Sequence, residues 1–306
     1  MCLGGLIGCQ PAAVAPHRRP PAVVRLAAGP PGGGFLPLGE EFVAALREST
    51  KDIDVVLVQS SGAVANIKAI QHGEADIAFT FADVAYLAFI GQLGDGSPAF
   101  DQLRGIAVLQ VTPTSLIARA GLPIRGPQDL RGRTVGVGPA GSGTRVTARL
   151  ILQAFGLDET SVRMEVLGFQ EASAKLLRGD LDAMFDNAIN RSDSLKQAAD
   201  AGARFVPIEG PPAERLRRDY PFLTPTIIPR DLYGRSVRTI GVDGLLICRS
   251  DFDERVVYEL TRQLFASLKT LGRGALRRMD VEQSPATPVP LHPGAARYYR
   301  ERELSH

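Results

Sequence analysis

Cysteine is almost absent from these 306 residues, occurring only as Cys2, Cys9 and Cys248. So few thiols exclude a disulfide framework and a thiolate metal site. Cys248 ends the apolar run Leu245-Leu246-Ile247 and reads as a core residue. Histidine is also scarce. His17 and His306 lie near the termini, His72 precedes a helix-ending glycine and His292 falls in a proline-rich stretch, so no metal-ligand spacing is present. No apolar run approaches the roughly 20 residues that a membrane-spanning helix needs. An excess of one charge is missing too. The 35 Lys and Arg stand against 33 Asp and Glu, a net charge of +2, with both signs interspersed. That argues against a nucleic-acid partner or a membrane-surface footprint. No serine stands in a Gly-x-Ser-x-Gly elbow and no acid–base set is apparent. No catalytic residue, metal or cofactor is therefore expected, and the chain reads as a non-enzyme.

What is present begins with an unusual leader. Leu6-Ile7-Gly8-Cys9 resembles a bacterial lipobox, in which the cysteine is lipidated and becomes the first mature residue. The segment before it lacks the basic start and full apolar stretch of a signal peptide. Residues 1–21 are accordingly expected to be a truncated signal with a lipobox and a Pro/Ala/Arg-rich tether. This places the protein in the periplasm or another extracytoplasmic space, with Cys9 as the membrane anchor.

The main signal is internal repetition. Strand Val23-Val24-Arg25-Leu26 ends in the loop Gly29 to Gly34, and a helix follows through Phe42 and Leu46. Strand Thr134-Val135-Gly136-Val137 ends in Gly138-Pro139-Ala140-Gly141-Ser142-Gly143, and its helix runs through Val146, Leu150 and Ile151. The first half continues with strand Asp54 to Val58, Ser60-Ser61-Gly62, a helix to Gly73, then Glu74, Asp76 and strand Ile77-Ala78-Phe79. The second continues with strand Val162 to Leu167, the turn Gly168-Phe169-Gln170, a helix to Gly179, then Asp180, Asp182 and strand Ala183-Met184-Phe185. Two alternating α/β units predict two parallel sheets covered by helices. Their Gly-loops fall at strand carboxyl ends, where such sheets bind ligands.

The second loop resembles nucleotide motifs without matching them. Gly138 to Arg145 approaches a P-loop, but Thr144 stands where the phosphate-binding lysine belongs. What remains is anion chemistry. Ser142, Gly143 and Thr144 enter a helix start, where free N–H groups and the positive dipole end favour a carboxylate. Arg145, in the first turn, opposes that dipole, and a bound anion would help offset its charge.

These motifs, in order, resemble the TAXI family, the solute receptors of one class of tripartite ATP-independent periplasmic (TRAP) transporters. The resemblance runs from about Val23 to Arg302. It rests on the first Gly-loop leading to Pro37-Leu38-Gly39, on Ser61-Gly62-Ala63-Val64-Ala65-Asn66, Gly73-Glu74-Ala75-Asp76 and Asp83-Val84-Ala85-Tyr86. It also rests on Gly138 to Thr144 and the ending Leu291-His292-Pro293-Gly294-Ala295-Ala296-Arg297-Tyr298-Tyr299. It implies an α/β, two-lobed periplasmic-binding-protein type II fold with the ligand cleft between the lobes. Lobe one would be 22–108 plus 242–306 and lobe two 109–241, with crossings near Leu109 to Leu116 and Ile240 to Leu246. It implies a small-molecule ligand, an organic anion or acidic amino acid, delivered to separate TRAP permease subunits. A signalling lipoprotein or an enzyme on the same fold are the alternatives. One departure stands out: Gly34-Phe35-Leu36 replaces the family's usual Thr-Tyr-Tyr, which makes that wall less polar.

Candidate ligand contacts are Gly33, Gly34 and Phe35 in the first loop, Ser60, Ser61 and Gly62 before the second helix, and Asp83. In the second unit they are Ser142, Gly143, Thr144, Arg145 and the strand-end residue Asn187. Several have a plainer reading. Ser60 and Ser61 suit helix capping, and Asp83 stands where an N-cap would. Tyr86 reads as packing.

Overall fold

The computed structural model describes residues 22–31, 33–49, 52–187, 193–230, 234–268, 276 and 279–304. Cys9 and the expected signal and tether lie outside the described residues.

Two stretches of chain repeat one construction. The first contains β1 (Ala22–Ala27), α1 (Phe35–Ser49), β2 (Ile53–Val58), α2 (Ala63–Gln71) and β3 (Ile77–Phe81), followed by α3 (Ala82–Phe89). A long strand, β4 (Leu103–Ala118), and a short 3-10 turn lead to the second. This contains β5 (Thr134–Gly136), α4 (Gly143–Ala154), β6 (Arg163–Glu165), α5 (Phe169–Arg178) and β7 (Ala183–Asn187). In each unit the first strand is central and pairs in parallel with the other two, giving the orders β2-β1-β3 and β6-β5-β7. Strand β6 is shorter than the run 162–167 suggests. Asp158 ties Thr160 and Ser161 into a turn whose carbonyl also takes the Val162 N–H, keeping Val162 out of the ladder.

The repeated glycine-to-aspartate pattern is a structural clamp. Asp76 donates its N–H to the Arg25 carbonyl, and its Oδ2 accepts the Arg25 N–H at 2.8 Å and the guanidinium at 3.0 Å. Asp182 does the same in the second unit. Its N–H goes to the Thr134 carbonyl, while its carboxylate takes the Thr134 N–H at 3.1 Å and Arg119 at 3.2 Å. Each aspartate thus completes the ladder at the start of a third strand, where the parallel pattern would leave a backbone donor unpaired.

After α6 (Asp193–Asp200), β8 (Arg204–Val206), α7 (Pro211–Asp219) and β9 (Leu223–Ile228), a second long strand, β10 (Val237–Arg249), runs antiparallel to β4. These two strands join the units. β4 pairs with β10 from Leu103 to Pro113, then with β7 from Thr114 to Ala118. β10 pairs with β9 over Val237 to Val242, then with β3 over Gly244 to Cys248. Cys248 is fully buried, as its apolar neighbours imply.

The chain closes with α8 (Glu254–Ser267) and α9 (Pro293–Glu303). Proline at the first position of α9 lacks only a donor that the helix start cannot use. His292 is a cap and not a ligand: its Nδ1 accepts the Gly294 N–H at 3.2 Å and Nε2 reaches the Phe252 carbonyl at 3.1 Å. Tyr299 donates to the Ile106 carbonyl, fastening α9 to β4.

Burial pushes the Asp76 carboxyl up, but the hydrogen bonds from the Arg25 side chain and backbone outweigh it and hold the pKa below its ordinary value. Asp76→Ala is expected to cost about 1.5 kcal/mol, low in the range for hydrogen bonds to a charged group because the pair is partly exposed. Asp76→Asn, which keeps an acceptor for the Arg25 N–H, should cost less. Denaturant titration checks both. The wild-type advantage over Asp76→Ala should vanish as pH falls through the depressed pKa, since a protonated Asp76 loses the ion pair.

Candidate functional site

All six parallel strands point their carboxyl ends into the gap between the two units, and the helices that follow them begin there. A recess in this gap is lined by the first residue of four helices: Phe35 of α1, Ala63 of α2, Gly143 of α4 and Phe169 of α5. The last residues of β3 and β7, Phe81 and Asn187, complete its floor together with Pro30, Gly33, Gly34, Ser61, Gly62, Ser142 and Thr144. No ionisable side chain is among these lining residues. The local field comes instead from helix ends, each carrying roughly half a positive charge. The cavity volume is about 30 Å³, room for about one water molecule. Anything larger requires the units to part.

The two units touch along a continuous seam. The Gly141 carbonyl of the second Gly-loop accepts the N–H groups of Val64 (2.9 Å) and Ala65 (3.3 Å) in the first turn of α2. Gly141 has φ +79°, a conformation that favours glycine, and this turns its carbonyl toward α2. Thr147 on α4 donates to Asp83 on α3 at 2.6 Å. Arg149 donates to the Leu93 carbonyl at 2.8 Å. Tyr86 packs against Tyr220 and Phe222, ring centroids 6.3 and 5.4 Å away, which is a packing role.

Most of the sequence candidates meet in the recess: Gly33, Gly34 and Phe35 from the first loop, Ser61 and Gly62 from the second, and Ser142, Gly143, Thr144 and Asn187 from the second unit. Three do not. Ser60 turns inward, its hydroxyl engaged with Asn66 and accepting the Gly62 N–H at 3.2 Å. Asp83 is neither an N-cap nor a wall residue. Phe81 is the cap of α3, and Asp83 is fully buried in its first turn, accepting the Val84 N–H and the Thr147 hydroxyl. Burial pushes its pKa up to about 6 against the lowering effect of those hydrogen bonds. Arg145 lies outside, on a larger vestibule of about 830 Å³ that shares Ser61 and Ser142 with the recess and also carries Lys68, Arg149 and Arg163.

At the second helix start both hydroxyls are engaged within the protein. Ser142 caps α4 by accepting the Arg145 N–H at 3.4 Å, and Thr144 Oγ1 accepts the Asn187 N–H at 3.3 Å. The first wall is apolar, as the Phe35-Leu36 departure implies: Phe35 stacks on Phe81 at 4.7 Å and Phe79 at 5.8 Å. Sequence reading missed Phe81 and Phe169. The repeat contained the signal, because Gly62, Gly73, Asp76 and Phe81 recur at one constant spacing as Gly168, Gly179, Asp182 and Asn187. Aligning the halves residue by residue puts Phe169 beside Ala63 and Phe81 beside Asn187.

A Cβ on Gly143 would overlap the Phe81 ring across the seam. Alanine suits a first helical turn at least as well as glycine. Gly143→Ala should therefore leave the second unit folded and force the two units apart. Small-angle scattering should show a larger radius of gyration than wild type, with unchanged far-UV circular dichroism. An unchanged radius would show that the seam adapts instead.

Known structures of this architecture resemble the chain at low sequence identity. They include the alkanesulfonate-binding protein SsuA from Xanthomonas axonopodis pv. citri bound to MOPS, at 14% identity and TM-score 0.51, covering 92% of this chain and 85% of that one. A periplasmic transporter protein matches at 14% and 0.57 over 94% and 96%. An ancestral arginine-binding protein bound to arginine matches at 16% and 0.53 over 82% and 94%. The fold is thus the mixed α/β, two-lobed fold of periplasmic solute-binding proteins, and residues 26–302 match the NMT1-like family, to which this chain belongs.

Proposed function

We propose that this protein is an extracytoplasmic solute receptor that binds a small organic anion between its lobes and does no chemistry on it. The observation that carries the reading is the convergence of four helix amino termini on a recess that, among the described residues, is lined by no ionisable side chain. Such a site attracts negative charge through backbone N–H groups and leaves no acid–base pair for catalysis. A carboxylate, of an organic acid or an acidic amino acid, is the anion favoured here. A sulfonate presents the same chemistry.

Lobe one comprises 22–108 plus 242–306 and lobe two 109–241 in this reading, with β4 and β10 as the hinge strands. The ligand displaces the Gly141 carbonyl from α2 as the lobes separate and then bridges both walls on closure. Delivery to separate membrane permease subunits of the TRAP type rests on the resemblance of the motifs. Among the described residues no helix is long and apolar enough to cross a membrane, so a transport role needs such a partner. Lipidation of Cys9 would hold the receptor near it, and mass spectrometry of the mature amino terminus reads that directly.

Calorimetric titration with carboxylates, amino acids and sulfonates tests the reading. At least one should bind saturably without turnover, and conversion of a bound compound would count against it. Thr144→Val removes a hydroxyl from the recess while nearly preserving volume. It should weaken the binding acid by about tenfold to over a hundredfold, the worth of a hydrogen bond to a charged group. Equal affinity of wild type and variant would reduce Thr144 to a support for Asn187.

A further inference from the structure

The residues that the repeat aligns at the two strand ends, Phe81 and Asn187, differ in kind. Phe81 closes the recess floor from the first lobe and Asn187 closes it from the second. Asn187 is 5% exposed. Its backbone N–H goes to Thr144 Oγ1, and its side-chain Nδ2 donates to Thr147 Oγ1 at 2.9 Å. Its Oδ1 is buried and has no hydrogen-bond partner among the described residues. An unpaired carbonyl oxygen at that depth is destabilising, and buried polar atoms of this kind usually have a partner that completes them.

The orientation of the amide is dictated by its neighbours. Thr147 has one hydroxyl proton and two acceptors in reach, the Asp83 carboxylate at 2.6 Å and the Gly143 carbonyl at 3.2 Å. The shorter bond, to the charged group, takes the proton. Thr147 Oγ1 can then only accept, so the Asn187 atom facing it must be the NH₂ group, and the amide oxygen is the atom left without a partner among the described residues. Turning the amide over would set oxygen against oxygen at Thr147. Asp83, Thr147 and Asn187 therefore form a relay, from one lobe to the other, that fixes which end of the amide a ligand meets.

We propose that this relay makes the recess selective for an anion that also carries an N–H or O–H donor close to its charged group, as in 2-amino and 2-hydroxy acids, with Asn187 Oδ1 accepting that donor and Thr147 acting as the positioning residue. The donor must lie near the anionic group because Asn187 adjoins Thr144, at the helix start where the anion is held. The inference rests on the anion-receptor reading above and narrows its ligand class. Phe35, Phe81 and Phe169, on the other sides, present no group that could satisfy a second donor.

The test is calorimetric titration of the full chain with matched pairs that differ by the donor alone: L-malate and succinate, L-glutamate and glutarate, L-lactate and propionate, taurine and ethanesulfonate. In the pair that binds, the donor-bearing member should bind about tenfold or more tightly. Asn187→Leu should abolish that preference, the donor-bearing member losing at least about tenfold more affinity than its plain partner. Thr147→Val should shrink the preference by freeing the amide to turn, and Thr147→Ser, which keeps the hydroxyl, should restore it; thermal melts confirm that each variant is folded. Equal affinity within a binding pair, or a preference that survives Asn187→Leu, overturns the inference and leaves the receptor reading standing. Binding by no member of any pair removes the receptor reading and this inference with it.

Discussion

Four helices of like polarity begin within one small space, and that is the constraint around which the molecule is built. The first-turn N–H groups of each helix have no acceptor of their own, and their dipoles add. Placing these ends together without a compensating charge is unfavourable unless something electronegative lies between them. Part of the demand is met from within: Gly141 lends its carbonyl to α2, and Ser142 lends its hydroxyl to α4. The same donors would attract a carboxylate placed in the recess. In the proposed receptor, the contacts that hold the lobes together and those that would hold a ligand would compete for one set of groups, coupling binding to lobe separation.

That coupling depends on parts far from the recess. Each lobe must present its helix ends rigidly, and the Asp76 and Asp182 clamps secure the strand starts opposite the carboxyl ends that line the recess. β4 and β10 then carry the registration between lobes, each pairing with a different neighbour at its two ends. The seam itself is close because Gly141 and Gly143 stand in it. A side chain at Gly143 would meet Phe81 before the Gly141 carbonyl could reach α2. Backbone contact between lobes sets the size of the recess more than any single lining side chain does.

Much of this was legible in the residue order. The two Gly-loops, the serine before α2 and the paired strand ends are local features, and strand polarity alone sends them to one place. What resisted reading is what depends on contacts between lobes. Asp83 has the sequence context of a helix cap, and nothing near it in the chain announces that Thr147 will cover it. Arg145 begins the right helix, but its side chain leaves on the outer face, toward the vestibule. Ser60 and Ser61 are adjacent and chemically identical, and only the third dimension separates the one bound to Asn66 from the one that faces the recess. Even the clamp aspartates, plain as a repeated motif, gave no sign from spacing alone of whether they served the ligand or the sheet.

The halves of the repeat agree at some positions and differ at others. Positions that build the sheet keep their type: Asp76 and Asp182 clamp, Gly73 and Gly179 follow the helices, Phe79 and Phe185 fill the core. At the strand ends the types part, with Phe81 on one side and Asn187 on the other. Two aromatic floors would make a recess that recognises charge and shape alone. Two amides would each need a buried hydrogen-bond partner, doubling the desolvation cost of an imperfect ligand. One of each gives a floor with a single directional acceptor, and the buried carboxylate that orients it belongs to the opposite lobe. The carboxylate that takes the Thr147 proton comes from across the seam, so the orientation of the Asn187 amide is set by a contact between lobes.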